Sequence, residues 1–270
     1  MGIEYKTTQQ MATMARAGVI VEAALAAARD AAVAGATTAD IDSAAAAVIA
    51  ERGATSNFLG YHGYPATVCV SVNDEGVHGI PGERVLANGD VVSIDCGAIV
   101  EGWHGDSAIT VVLGQSPDPA DVALSEATEA ALWAGIAALA TAKRLNEVGE
   151  AIEDVALGAG LHPIEGYVGH GIGTEMHQEP DVMNYRVRGR LAKVRPGMCL
   201  AIEPMFVRGT DASRILDDGW TVVSADGSRA AHWEHSVAVH ERGIWVLTAS
   251  DGGASRLAAH GVGPVPLAVD

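Results

Sequence analysis

Apolar residues recur at helical spacing over the first fifth of the chain. The pattern predicts one helix from Thr7 or Thr8 to Ala34 and a second from about Thr38 to Ala50. Threonine is a residue type that caps helix N-termini, and a glycine follows each predicted helix. We therefore expect a short helical N-terminal segment over about residues 5–53.

From residue 54 onward the pattern changes to short apolar runs rich in valine and isoleucine, which glycine and proline divide. The predicted elements are, in order, strands at Ala66–Val72, Val91–Ile99 and Ala108–Leu113, helices at Asp121–Ala142 and Glu147–Ala159, and strands at Ile164–Val168, Met198–Phe206, Trp220–Val223, His232–Val239 and Ile244–Leu247. Helices followed by strands thus occur twice without a linker, which indicates a duplicated α/β half. We expect the core over about residues 54–250 and a flexible Gly- and Ala-rich tail over about 252–270.

Composition and charge narrow the class of protein. The 270 residues are 49% hydrophobic and 19% charged, as in a globular domain. With 17 basic and 34 acidic residues the net charge is −17, so we expect neither a nucleic-acid nor a membrane partner. The start of the chain has no apolar signal core, and Cys69, Cys96 and Cys199 form no CxxC pair. These features predict a soluble, cytoplasmic protein.

Two aspartates stand in strand-like runs. Asp95 lies within the Val91–Ile99 run, and Asp106 enters the Ala108–Leu113 run after a glycine-rich stretch. A hairpin between the runs would bring the two carboxylates together, and adjacent anions repel unless they share a proton or a metal. For either residue alone, the alternative is a carboxylate that caps a turn.

One histidine and two glutamates complete the set. His170 is flanked by glycines and is sterically open, as a ligand must be, although an exposed loop histidine is the alternative. Glu203 and Glu234 each lie in an apolar run, where an unpartnered buried glutamate is rare. Taken singly, either glutamate is also compatible with an edge strand that points it to solvent.

Taken together, these five residues are four carboxylates and one imidazole. Such a set suits hard to borderline divalent cations such as Mn, Co, Fe or Zn. Four anionic ligands offset the charge of two dications, and two metals about 3.5–4 Å apart can generate hydroxide and hold a tetrahedral intermediate. One shared site explains all five residues at once, so the sequence predicts a dinuclear metal hydrolase.

The order Asp, Asp, His, Glu, Glu with these flanking residues resembles the ligand set of type I methionine aminopeptidases. The stretches that carry the resemblance are 59–65 (LGYHGYP), 77–81 (VHGIP), 169–173 (GHGIG), 176–180 (MHQEP), 202–205 (IEPM) and 218–221 (DGWT). The resemblance covers roughly residues 5–250. It implies an α+β, pita-bread fold, in which two pseudo-symmetric α/β halves with antiparallel sheet surround a central dinuclear metal cleft, and one catalytic domain over residues 1–270.

The resemblance also implies a role for each ligand. Asp95 would chelate one metal, Asp106 and Glu234 would bridge both, and His170 and Glu203 would complete the other. Glu203 is also the expected residue to manage the proton of the bridging water.

Further site residues follow from the same resemblance. His78 and His177 correspond to the two non-ligand histidines that contact the scissile peptide and stabilise the oxyanion, although His78 alone is compatible with an ordinary loop histidine. The methionine pocket corresponds to Phe58, Tyr61, Tyr64, Cys69, Met176 and Trp220, with His78 and His177 beside it. Phe58 replaces a small residue of many bacterial relatives and Met176 an aromatic one, so the pocket shape is expected to differ. Cys69 and Met176 are also compatible with a purely structural place in the core.

The activity implied is removal of the initiator methionine from nascent proteins with a small second residue, by a metal-bound hydroxide that attacks the first peptide bond. The expected partners are N-terminal peptides, with a transient ribosome contact compatible with that role, and the expected state is a monomer. Two alternatives stay open at this point. One is an X-Pro-directed metallopeptidase of the same fold, which usually carries an additional N-terminal domain. The other is a non-catalytic pita-bread binding protein, in which ligands are typically substituted.

Overall fold

The structure is a computed structural model that describes residues 2–268. Its α-helices are α1 (Thr8–Ala31), α2 (Thr38–Glu51), α3 (Pro119–Leu139), α4 (Asn146–Ala159) and α5 (Ala254–Leu257). Its strands are β1 (Thr55–Ser56), β2 (Val68–Val72), β3 (Glu75–Val77), β4 (Val91–Val100), β5 (Trp103–Val112), β6 (His162–Pro163), β7 (Gly169–Gly171), β8 (Gln178–Val182), β9 (Cys199–Ile202), β10 (Met205–Val207), β11 (Ser213–Ile215), β12 (Val222–Ser224), β13 (Ala230–His232), β14 (Glu234–His240) and β15 (Gly243–Val246). Two 3-10 turns lie at Tyr61–Gly63 and Ala258–His260.

One nine-stranded antiparallel sheet runs through the whole protein. Its order is β1-β4-β5-β14-β9-β7-β8, with β2 also paired to β4 and β15 to β14. Strand β14 therefore joins the first half of the chain, through β5, to the second half, through β9. Two three-stranded sheets, β13-β10-β6 and β11-β12-β3, lie beside it.

A pair of helices covers each half of this sheet. In the first half, α1 and α2 pack against β2 and β4, where Val21, Ile41 and Ile94 are fully buried. In the second half, α3 and α4 pack against each other and over β9 and β14 around a second buried cluster. The helix pair followed by strands thus occurs twice, as the sequence pattern indicates.

Capping explains where most of these helices begin. Thr7 and Thr37 each accept a hydrogen bond from the backbone N–H three residues later, and the side chains of Gln10 and Asp40 bond back. Asp118 caps α3 ahead of the proline at its first position. The predicted helix starts are correct within about two residues, while α1 and α3 each end three residues earlier than predicted.

Helix α1 lies against the backbone of the second half of the chain at Gly18. A Cβ built on Gly18 would lie 2.1 Å from the carbonyl oxygen of Leu247, and this neighbour is backbone. We expect Gly18→Ala to lower the free energy of unfolding by about 1–3 kcal/mol, as overpacking does. Urea denaturation measures the effect. Gly158→Ala is the matched control, because this α4 glycine faces open space and alanine there should be neutral or stabilising.

Three predicted strands are absent or divided in the structure, and a fourth, predicted at Ala108–Leu113, begins five residues earlier at Trp103, so that Asp106 lies inside β5. Residues 164–168 form a turn with Gly166 at φ 85°, instead of the predicted strand Ile164–Val168. The predicted strand Met198–Phe206 is divided into β9 and β10 at Glu203 and Pro204, because proline has no N–H for the ladder. The predicted strand His232–Val239 is likewise divided at Trp233, where the chain passes from the small sheet to the large one.

The tail, predicted to be flexible over about residues 252–270, contains helical turns and one buried side chain. Residues 254–260 are helical, and Leu257 is fully buried in the core of the second half. The Val265 backbone N–H donates to the Ile244 carbonyl, and His240 bonds the Val265 carbonyl at 2.9 Å. Backbone pairing with β15 thus orders a segment whose small residues gave no sign of it.

Helices α1 and α3 are long and apolar enough to cross a membrane by length and composition alone. In the most apolar 18-residue stretch of each helix, 44% of α1 and 50% of α3 is buried inside the protein. A core helix of a soluble protein passes the same test, and charged residues interrupt both helices. The two helices are therefore weak evidence for a membrane span.

Candidate metal centre

The strand register places three of the predicted ligands, Asp95, Asp106 and Glu234, on one face of the sheet. On β4 and β5, Asp95 lies opposite Ala108, and Asp106 lies opposite Gly97. Glu234 of β14 also pairs with Ala108. Residues that lie opposite each other on paired strands point to the same face of the sheet, and so do residues two positions apart on one strand. The three carboxylates therefore project to the same side.

The other two predicted ligands reach that face from the second half. Ser236, two residues after Glu234, lies opposite Ala201 of β9, and His170 of β7 pairs with Ala201 from the other side. Glu203 follows Ala201 by two residues, just beyond the end of β9. The expected hairpin and a shared face thus bring together residues 139 positions apart in sequence.

Buried oxygen atoms without partners mark this cluster. Oδ1 of Asp95, Oδ1 of Asp106 and Oε1 of Glu234 are buried and have no hydrogen-bond donor among the described residues. The three residues are at most 8% exposed. An unpartnered buried carboxylate costs several kcal/mol of free energy, and a divalent cation is the group that offsets it. The donor set therefore fits divalent metal ions.

Distances divide the donors into two groups that share Glu234. Asp106, His170 and Glu234 have donor atoms within 4.8 Å of one another, and so do Glu203, His232 and Glu234. His170 Nε2 lies 3.2 Å from Glu203 Oε1 and connects the groups. Asp95 stands outside both groups at this distance but lies in the same charged cluster, since Glu203 and His170 both shift its pKa.

His232 is a residue of this cluster that the sequence analysis missed. The sequence predicts only a continuous strand over His232–Val239, whereas β13 ends at His232 and β14 begins at Glu234 in another sheet, so strand alternation does not locate the imidazole.

Burial and crowding set the protonation of the cluster in the metal-free protein. Burial raises the pKa of Asp95 to about 7, and it raises the pKa of Asp106 and Glu234 well above the usual carboxyl range, helped by repulsion between the carboxylates. Glu203 is the exception. Burial disfavours its charge, but the imidazoles of His170 and His232 outweigh burial and lower its pKa to about 2.

Metal affinity should therefore rise with pH between about 6 and 8, because a cation must displace protons from carboxyls whose pKa is raised. The stability of the metal-free protein changes in the opposite direction with pH. Asp95 with a pKa of about 7 contributes stability at low pH that is lost as the pH rises through 7. Calorimetric titration at pH 6.5 and 8.0, in two buffers of different ionisation enthalpy, measures affinity and proton release. Equal affinity at both pH values without proton release would contradict this.

An apolar cavity of about 290 Å³ opens beside the cluster. Its lining includes every predicted pocket residue, namely Phe58, Tyr61, Tyr64, Cys69, Met176 and Trp220, together with His62, His78 and His177. The pocket and the ligand face are joined through the sheet, because Cys69 of β2 lies directly opposite Asp95 of β4. Cys69 and Met176 are both 2% exposed, so they are core residues as well as pocket residues.

Aromatic contacts hold the pocket wall in place. Tyr64 is buried and its hydroxyl donates to the backbone carbonyl of Gly79 at 2.9 Å. The Tyr64 ring meets Trp220 edge-on at a centroid distance of 5.1 Å. This hydrogen bond fixes the loop that begins at His78, so the wall and the histidine are positioned together.

The two predicted non-ligand histidines stand between the pocket and the ligands. His78 has a left-handed backbone, φ 61°, and burial lowers its pKa to about 4. His177 packs edge-on against His170 at 4.3 Å, and its Nδ1 lies 2.7 Å from the Tyr61 hydroxyl. Partial burial and the neighbouring imidazole of His170 lower the pKa of His177 as well. Both rings are therefore neutral at pH 7, each with one N–H to donate.

A face of buried carboxylates and an imidazole beside a slot for one apolar side chain defines a metal-dependent hydrolase. The metallopeptidase family M24 model matches residues 12–241 of this chain. The methionine aminopeptidase 1 of Mycobacterium tuberculosis is 50% identical over 91% of this chain and 95% of its own length. That of Bacillus subtilis is 40% identical over 90% and 98%.

Solved structures agree on the fold. The methionine aminopeptidase of Thermotoga maritima superposes with a TM-score of 0.88 at 38% identity, covering 92% of this chain and 99% of that one. The prolidase of Pyrococcus furiosus, at 20% identity and a TM-score of 0.70, shares the fold alone and is covered over 65% of its length. The chain belongs to metallopeptidase family M24, within it to the type I methionine aminopeptidases, and it has the pita-bread fold expected from the sequence.

Proposed function

We propose that this protein removes the initiator methionine from new polypeptides whose second residue is small, using two divalent cations. The observation that carries the proposal is the strand pairing of Cys69 with Asp95. Because Cys69 lines the apolar cavity, this pairing supports a cavity directly beside the ligand face. A side chain seated in the slot leaves its own peptide bond next to the carboxylates. Membership of the methionine aminopeptidases supports methionine as that side chain.

The proposed ligand assignment keeps five residues. Asp95 would hold one cation, Asp106 and Glu234 would each contribute to both, and His170 and Glu203 would complete the other. Support comes from the shared sheet face and from the unpartnered oxygens of Asp95, Asp106 and Glu234. When bound, two divalent cations polarise the scissile carbonyl and lower the pKa of water. The ions proposed are Mn, Co, Fe or Zn, all of which accept this donor set.

The chain's own residues handle the proton and the developing charge. Glu203 is ionised beside two imidazoles and so is able to accept a proton from the attacking water and pass it to the leaving amine. His78 and His177 are neutral and donate N–H hydrogen bonds to the substrate oxygen as it becomes an oxyanion. A neutral donor suits this role because it adds no positive charge beside the cations.

Pocket shape sets the preference for methionine. A cavity of about 290 Å³ lined by aromatic and sulfur-containing side chains suits an unbranched thioether. Phe58 is 7% exposed and packs edge-on against Tyr64, which supports a narrowed pocket. Since one methylene is worth only about 1–3 kcal/mol in such a slot, specificity also depends on the position of the substrate amine.

Initial-rate hydrolysis of three peptides tests the function. We expect the metal-loaded protein to release methionine from Met-Gly-Met-Met, to spare Leu-Gly-Met-Met, and to act poorly on Met-Leu-Met-Met. Protein stripped of metal and titrated separately with Mn, Co, Fe or Zn identifies the activating ion. Release of leucine would refute the pocket, faster turnover of an X-Pro dipeptide would favour the proline-directed alternative, and no release with any ion would favour a binding protein.

We infer a monomeric, cytoplasmic enzyme whose whole chain forms one catalytic domain and whose partners are nascent N-termini, with only transient contact to the ribosome. The net charge of −17 argues against binding to nucleic acid or anionic lipid.

A further inference from the structure

A second imidazole lies against the ligand face. His232 is the last residue of β13, is 2% exposed, and its Nε2 has no hydrogen-bond partner among the described residues. A buried neutral imidazole normally satisfies both ring nitrogens, so an unpartnered nitrogen aimed at carboxylates requires an explanation.

The backbone of His232 is held from three directions. Its N–H is shared between Ser93 Oγ at 3.2 Å and Thr110 Oγ1 at 3.0 Å, and its carbonyl accepts from Thr110 Oγ1 at 2.7 Å. Strand pairing with Met205 fixes the other side. Ser93 and Thr110 are opposed residues of the β4–β5 hairpin that carries Asp95 and Asp106. The imidazole is thus set in place by the same hairpin that supplies two ligands.

The distance from His232 to Glu203 suits shared coordination better than a hydrogen bond. Nε2 lies 3.6 Å from Glu203 Oε2, which is too long for a hydrogen bond between these atoms. Two donors that bind the same ion at about 2.1 Å, with an angle of about 110–120° between them, lie about 3.5 Å apart. The observed separation is close to that value, and Glu234 completes a group of three donors within 4.8 Å.

We propose that His232 is a metal ligand, which makes the centre one of two imidazoles and four carboxylates. The proposal rests on the metal centre assigned above and adds His232 to the ion held by Glu203. An additional imidazole shifts the preference of that ion position from Mn toward the borderline ions Zn, Co and Fe. The chain's choice of metal is therefore set partly by a residue outside the five-ligand set.

Substitution of the imidazole by an amide tests this. We expect His232→Gln to weaken Zn binding by about 10-fold or more, measured by chelator competition, and to weaken Mn binding less. The matched control is His235→Gln. His235 is three residues along the same chain segment, but its ring bonds Thr248 Oγ1 at 2.8 Å and packs on Trp133, on the opposite face of the sheet. The control should keep the Zn and Mn affinities of the parent.

Spectroscopy gives a readout that does not depend on a variant that folds. X-ray absorption of the parent protein with two equivalents of Zn reports the number of imidazole ligands averaged over both ions. We expect about one imidazole per ion if His170 and His232 both bind, and about one half if only His170 binds. The visible spectrum of the Co-loaded protein should change in His232→Gln and stay unchanged in His235→Gln. An imidazole count of about one half, or a His232→Gln variant with parental Zn affinity and Co spectrum, overturns the proposal.

The experiment separates this inference from the metal centre itself. Asp106→Asn serves as the reference that disables the centre. If Asp106→Asn loses Zn while His232→Gln keeps it, only the role of His232 is refuted. If the parent protein binds no Zn, Mn or Co, the proposed centre fails and His232 fails with it.

Discussion

Replacing Asp106 by asparagine will abolish stoichiometric metal loading and lower kcat/KM for a methionyl peptide by more than about 10²–10³-fold, the loss caused by removal of one transition-state stabiliser. Asp106 carries the largest expected effect because it is one of the two carboxylates proposed to contact both cations. The backbone N–H of Asp106 donates a hydrogen bond to Ser236 Oγ, and its carbonyl accepts one from the same hydroxyl. These bonds fix the residue beside Glu234, where it is 3% exposed. Metal analysis and initial rates on the same preparation measure both effects.

The Asp106→Asn substitution should not destabilise the fold of the metal-free protein, and the melting temperature measures this. Asparagine removes one of three crowded carboxylates whose pKa is raised by burial, so the metal-free variant should melt no lower than the metal-free parent. Glu101→Gln is the control, because Glu101 lies exposed at the turn of the same hairpin. An Asp106→Asn variant with parental metal content and turnover would show that Asp106 is not a ligand.

Replacing His78 by alanine should lower kcat on the order of 10²–10³-fold while metal content stays at the parental value. The neutral ring faces the pocket and lies 6.4 Å, centroid to centroid, from Trp220, edge-on. Its proposed hydrogen bond forms only as the substrate oxygen becomes charged, so the loss should fall on kcat more than on KM. Steady-state kinetics on Met-Gly-Met-Met with parallel metal analysis measures this.

The His78 result is judged against a histidine elsewhere in the fold. His162 is exposed on β6, an edge strand of the small sheet, and is not a lining residue of the pocket, so His162→Ala should keep parental kinetics. A His78→Ala variant whose KM rises at constant kcat would assign His78 to ground-state binding, which contradicts transition-state stabilisation.

Several features of the site follow from sequence because they depend on local pattern. Asp95 and Asp106 stand in apolar runs that meet in a hairpin with a turn at Glu101 and Gly102, and the alternation of strand residues then decides which face they share. The burial of Glu234 follows for the same reason. Each conclusion needs only residues that are near in the chain.

Other features depend on contacts that no local pattern contains. The strand breaks at Pro204 and Trp233 lie inside continuous apolar runs, and they matter because they turn Glu203 and His232 toward each other. Leu257 is buried by packing against other segments of the chain. Gly18 lies against Leu247, a residue more than 200 positions away in sequence. The tail and the second imidazole were missed for this reason.

The position of β14 in the sheet has a consequence for how the protein acquires its activity during folding. Residues 234–240 fill the gap between β5 and β9, so until they arrive each half presents an unpaired strand edge. Pairings this distant in sequence close slowly, since the loop entropy is lost before the contact forms. Glu234 arrives with that strand, so the metal centre is completed only when the sheet closes. Cations then bind the native state and not its precursors, and metal supply acts on the yield of folded enzyme as well as on its rate.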